Sequence, residues 1–147
     1  MYERILVATD GSALSDKAVG HALDLAKLSG ATVIALKVIP RYPRSYLEGG
    51  TTMDASEIKR IEAQWATQAQ AVLEKIKADG KAMGIKVKTS IAKSDLIAES
   101  IIGAADKQKA DLIVMASHGR KGLKRLLLGS ETQHVLTHSH VPVLVLR

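Results

Sequence analysis

Hydrophobic positions gather into short runs at Ile5 to Thr9, Thr32 to Val38, Val87 to Ile91, Leu112 to Ala116 and Val141 to Leu146. The first, fourth and fifth runs are nearly continuous in apolar side chains, as expected for strands buried on both faces of a parallel sheet. The third, KVKTSIA, alternates more and is expected at a sheet edge. Between the runs, apolar residues recur at helical spacing. Ser12 or Ser15 is placed to cap a helix carrying Ala18, Ala22, Leu25 and Ala26, and Gly30 falls where a left-handed terminating residue belongs. Ser56 and Glu57 open a long segment with Ile58, Ile61, Trp65, Ala69, Val72 and Ile76, which Gly84 closes. Asp95 and Ser130 each precede a further helical segment and offer a side-chain oxygen to its first amides.

The resulting order, β-α-β-α-β-α-β-α-β, requires right-handed crossovers and predicts an α/β fold: an open five-stranded parallel sheet with helices on both faces. The stretch from Ile39 to Asp54, with Pro40, Pro43, Gly49 and Gly50, is the long irregular connection. No linker, repeat or low-complexity tract divides the sequence, so residues 1–147 read as one domain. A chain of this length buries roughly two thirds of its unfolded surface in a single core.

Composition narrows the class. There is no cysteine, which excludes a disulfide framework and fits a reducing compartment. The apolar runs are far shorter than the roughly 20 residues that cross a bilayer, and the N-terminus lacks the apolar stretch of a signal peptide. A cytoplasmic protein with no membrane partner is expected. The formal charge of +6 favours phosphorylated or polyanionic partners. Aromatic residues make up 3%, with no Phe, so the stacking platforms of single-stranded nucleic-acid readers are nearly missing and no nucleic-acid partner is expected. A bound purine would lie between aliphatic side chains and backbone.

In an open parallel sheet, ligands bind beyond the carboxyl ends of the strands where the strand order reverses. The loops TDGS after the first run and SHGRKGLKRLLLGS after the fourth would face that crevice. A dinucleotide fingerprint needs three spaced glycines after the first strand, where only Gly11 stands. A P-loop needs Gly-Lys-Ser or Gly-Lys-Thr, and neither Gly119 nor Gly129 is so followed.

The pattern A-S-H-G, nine residues, then G-S, lying between an apolar strand and a helix that leads into VPVLV, resembles the signature of the universal stress proteins. The ATP-binding branch of that family carries G-x-x-G, nine residues, then G-[S/T]. Here the matching positions are Ala116, Gly119, Gly129 and Ser130, with Ala116 in place of the first glycine. The resemblance extends over ILVATDGSALSDKAV, VIALKVI and ADLIVMASHG. It implies a Rossmann-like fold of the adenine nucleotide alpha hydrolase type, with strand order 3-2-1-4-5. It also implies nucleotide contacts from Ala8, Thr9 and Asp10, a base contact at Val38, Met115 and Ala116 at the end of the fourth strand, and a phosphate loop of Gly119, Gly129, Ser130 and Thr132. The implied ligand is ATP, or ADP or AMP, with Mg²⁺ as an optional companion. The implied assembly is a homodimer in which Val141 to Leu146 pairs with its copy.

Elementary chemistry gives these residues coherent roles. A carboxylate at Asp10 accepts hydrogen bonds from ribose hydroxyls. Gly119, Gly129 and Ser130 can donate to phosphate at a helix start, and Val38 and Met115 supply an aliphatic clamp. Glu131, beside the phosphate loop, must point away or be neutralised. Blander readings stand beside these: Asp10 as a turn residue, the glycines including Gly122 as turns, and Arg120, Lys121, Lys124 and Arg125 as a solvated face. His134 and His138 lie one helical turn apart, yet HVLTH lacks the Glu of the zinc-protease motif, and no metal site is expected. His118 has no evident partner, and no Ser-His-acid triad is defensible. The leading expectation is a stress-response protein that holds an adenine nucleotide as regulator or protector. A slow ATP hydrolase using Asp10, His118 or Glu131, and an interaction protein without nucleotide, are the alternatives.

Overall fold

The computed structural model describes residues 1–42, 54–119 and 128–147. Thus Pro43, Gly49, Gly50 and Met53 of the long connection, and Arg120, Lys121, Gly122, Lys124 and Arg125 after the fourth strand, lie outside the described residues. In chain order the elements are β1 (Arg4–Ala8), α1 (Ala13–Ser29), β2 (Thr32–Ile39), α2 (Ala55–Ala82), β3 (Val87–Lys93), α3 (Ile97–Lys107), β4 (Leu112–Ala116), α4 (Ser130–His138) and β5 (Val143–Leu146).

The strands form one five-stranded sheet of order β3-β2-β1-β4-β5, parallel throughout. The alternating run β3 is indeed an edge. Strand periodicity sends successive side chains of β1 to opposite faces. Ile5 and Val7 pack with Val33, Leu112 and Val114 beneath Ala22 and Leu23 of α1 and Leu73 and Ile76 of α2. Leu6 packs with Ile34, Leu36, Ile113 and Met115 beneath Ala98 and Ile101 of α3 and Val135 of α4. Both faces of the central strands are therefore dry, which is why their runs lack polar alternation.

Helix ends follow the sequence at some points and depart from it at others. Ser12, not Ser15, caps α1, accepting from the Ser15 N–H, and Gly30 ends the helix at φ 76°, a left-handed conformation that costs glycine little. Asp54 rather than Ser56 caps α2; its carboxylate accepts from both the N–H and the hydroxyl of Ser56. Asp95 does not cap α3, because its carboxylate accepts from the Arg41 N–H at 3.0 Å. Ser130 is already the first helical residue of α4, and Gly129 occupies the cap position without a side chain. The last strand begins at Val143 rather than Val141, because Ser139 closes a local turn with Val141 ahead of Pro142. Trp65 stacks on Tyr42 with ring centroids 6.1 Å apart.

Candidate functional site

The order reverses between β1 and β4: β2 lies on one side of β1 and β4 on the other, so the loops leaving the two strands diverge and open a crevice. The β1 loop is held by its own hydroxyls. The Thr9 N–H donates to the Leu36 carbonyl at 2.9 Å, which continues the sheet one step past β1. The Thr9 hydroxyl accepts from the Gly11 N–H at 3.2 Å and shares a hydrogen bond with the Ser15 hydroxyl, also at 3.2 Å. One carboxylate oxygen of Asp10 accepts from the Ser12 N–H at 2.9 Å. Gly11 at φ 79° makes the turn, and the Ser12 N–H fixes that oxygen of the carboxylate.

The β4 loop is anchored in the same manner. The Ser117 N–H donates to the Leu146 carbonyl at 2.7 Å, and the Gly129 N–H donates to the Ser117 carbonyl at 2.8 Å. The Thr132 hydroxyl, in the first turn of α4, donates to the Ala116 carbonyl at 3.0 Å. These bonds clamp the start of α4 onto the end of β4. Gly119 lies directly against Asp10: a Cβ built on it would stand 2.8 Å from the second carboxylate oxygen, closer than carbon and oxygen tolerate. Nδ1 of His118 shares a hydrogen bond with the Ser117 hydroxyl at 3.2 Å, so this loop histidine has a partner.

Between the two loops lies a cleft of ≈ 640 Å³, counting its solvent-open part. Ala8, Thr9, Asp10, Val38, Met115, Ala116, Gly119 and Thr132 all line it. Gly129 and Ser130 do not line it; they form the start of α4 beside it. The side chains of Thr9 and Thr132 are buried and engaged within the fold, so their part in the site is to hold backbone in place.

The cleft has further walls that sequence reasoning passed over: Leu36, Ile97 and Ile101. A signal for each was present. Leu36 lies two residues before Val38 and so shares its face of β2, and Ile97 and Ile101 are one helical turn apart on α3. Glu131 also lines the cleft, and its carboxylate accepts from the Ala98 N–H at 2.8 Å, so it is partnered by the start of α3. Nε2 of His134 is 3.4 Å from the Glu99 carboxylate, and its ring lies 4.4 Å from that of His138. Among the described residues no group of three His, Cys, Asp or Glu side chains is arranged to hold a metal ion, and no helix is long and apolar enough to cross a membrane.

The chemistry of this cleft is an aliphatic slot with two fixed carboxylates, Asp10 and Glu131, and a helix start alongside. The first turn of α4 has N–H groups without intrahelical acceptors, and together with the helix dipole they favour an anion. The lining thus offers an apolar surface, an acceptor for hydroxyls, and donors for negative charge.

Known proteins match this chain over its full length. A universal stress protein of Methanocaldococcus jannaschii, MJ0531, is 37% identical over 148 residues, covering 100% of this chain and 83% of the relative. The solved structure of MJ0577 superposes with a TM-score of 0.81 at 31% identity, covering 99% of this chain and 96% of the other. A universal stress protein solved in complex with cAMP superposes with a TM-score of 0.72 at 27% identity, covering 99% and 97% of the two chains. The model of the Universal stress protein family matches residues 1–147. With the strand order, the cleft at the reversal point and these matches together, the chain belongs to the universal stress protein family.

Proposed function

We propose that the protein binds an adenine nucleotide, ATP or a mono- or diphosphate relative, in the cleft between the β1 and β4 loops, and acts as a nucleotide-dependent regulator or protector in the cytoplasm. The observation that carries this reading is the convergence of Asp10 and Gly119, more than a hundred positions apart in sequence, at the mouth of one aliphatic slot. The base lies between Val38, Leu36 and Met115, where aliphatic contact takes the place of stacking. Asp10 accepts from the ribose hydroxyls. The phosphates lie toward Gly119 and the first amides of α4, where Gly129 and Ser130 have their place. The relative solved with cAMP supports an adenine nucleotide as the ligand class. The homodimer through Val141 to Leu146 belongs to the same reading, because Leu144 on the terminal edge strand is 37% exposed and pairing would cover that edge.

Native mass spectrometry of the protein purified with ATP and Mg²⁺ tests the proposal. It is supported if the folded protein gains the mass of a nucleotide that Asp10→Ala does not retain. Wild-type protein that carries no nucleotide at high micromolar ligand contradicts it.

A further inference from the structure

We infer that Glu131 is a positioning residue of the cleft: from α4 it caps α3, and so holds the Ile97 and Ile101 wall against the nucleoside part of the ligand. The inference rests on the nucleotide reading and adds to it a residue that acts through another element.

The reasoning begins at the start of α3. The cap position is Leu96, which has no side-chain oxygen, and no local side chain bonds to the first turn. The two nearest oxygens upstream are engaged elsewhere, Ser94 with the Leu96 N–H at 3.0 Å and Asp95 with the Arg41 N–H. Ala98 is 0% exposed, so water does not reach its side of the helix. Its N–H, in the first turn, has no intrahelical acceptor and needs one from outside. Glu131 supplies it from 33 positions away, and its negative charge also suits the positive end of the α3 dipole. One turn further along α4, His134 meets Glu99, the residue after Ala98, a second tie between the same pair of elements.

The consequence for the cleft follows from helix geometry. Ala98 and Ile101 both belong to the core beneath α3, and Ile101, with Ile97 one turn before it, also lines the cleft. Fixing the Ala98 amide therefore fixes the rotation and height of the wall. Ile97 is 42% exposed, an apolar side chain at the rim that a bound nucleoside would cover.

The competing role for Glu131 is a bare negative charge beside phosphate, and two substitutions separate the roles. In Glu131→Gln the amide oxygen still accepts from Ala98 but the charge is gone; in Glu131→Ala both are gone. Calorimetric titration with adenosine and with ATP is expected to show Glu131→Ala weakened by the same factor for both ligands, about tenfold, and Glu131→Gln within about twofold of wild type. Equal behaviour of the two variants, or tighter ATP binding with adenosine unchanged, overturns the positioning role. Hydrogen exchange at the Ala98 amide without ligand provides an independent readout, expected to speed up in Glu131→Ala and to stay slow in Glu131→Gln. Unchanged exchange in Glu131→Ala overturns the cap. Wild-type protein that binds neither ligand overturns the nucleotide reading and the wall's role with it, while the exchange result still decides the cap.

Discussion

Asp10 and Gly119 meet across the cleft so closely that a Cβ on Gly119 would lie 2.8 Å from the Asp10 carboxylate oxygen. The other oxygen of that carboxylate is tied to the Ser12 N–H, so the group cannot swing aside without breaking the turn that starts α1. The glycine is thus required by close approach.

Gly119→Ala follows directly from this contact. The added methyl displaces the carboxylate or the loop, and nucleotide affinity is expected to fall about tenfold, equivalent to about 1.4 kcal/mol. Ligand titration checks the affinity. The melting temperature should change little, because the contact lies at a cleft mouth rather than in the core.

Thr132→Val probes the clamp between α4 and β4. The Thr132 hydroxyl is buried and donates to the Ala116 carbonyl at 3.0 Å; valine keeps the shape and removes the donor. A hydrogen bond of this part-buried kind contributes about 0.5–1.5 kcal/mol. Urea denaturation should show that loss, together with weaker nucleotide binding, because Ala116 lines the cleft.

Asp54 gives a pH dependence. Hydrogen bonds from the Ser56 hydroxyl and then from the Ser56 N–H hold its pKa below the ordinary carboxylate value of 3.8. A depressed folded-state pKa means that the cap is fully present above the unfolded value and is lost as pH falls through the folded one. The protection of the Ser56 amide, relative to its intrinsic exchange rate at the same pH, is therefore expected to fall below about pH 4. In Asp54→Ala that protection should be low at every pH, with no such step. The rest of α2 should hold in either case, since Leu73 and Ile76 pack it to the sheet.

The sheet was legible because its signal is local. Ile5, Leu6 and Val7 in succession can only be a strand wet on neither side, and VKTSIA at the edge carries its exposure in its alternation. The helix starts were less legible, because which oxygen reaches which amide is settled by tertiary neighbours. Asp95 looks like a cap by position, but the end of β2 brings the Arg41 N–H to it, and Glu131 arrives from another helix to take its place. At the site, Gly119 stood in the motif spacing, and the strand-end residues were implied by the resemblance to the family. Ile97 and Ile101 were not singled out, since their helical period reads as core, and only the placement of α3 against β2 and α4 makes them walls of the cleft.

The central claim, a nucleotide held by Asp10, is tested most directly by calorimetric titration of ATP with Mg²⁺ into the wild-type protein and into Asp10→Ala. The predicted result is saturable heat for wild type and at least about a tenfold loss of affinity for the variant, as expected when the acceptor for two ribose hydroxyls is removed. No heat for wild type up to high micromolar ligand, or equal affinity in the two proteins, would contradict it.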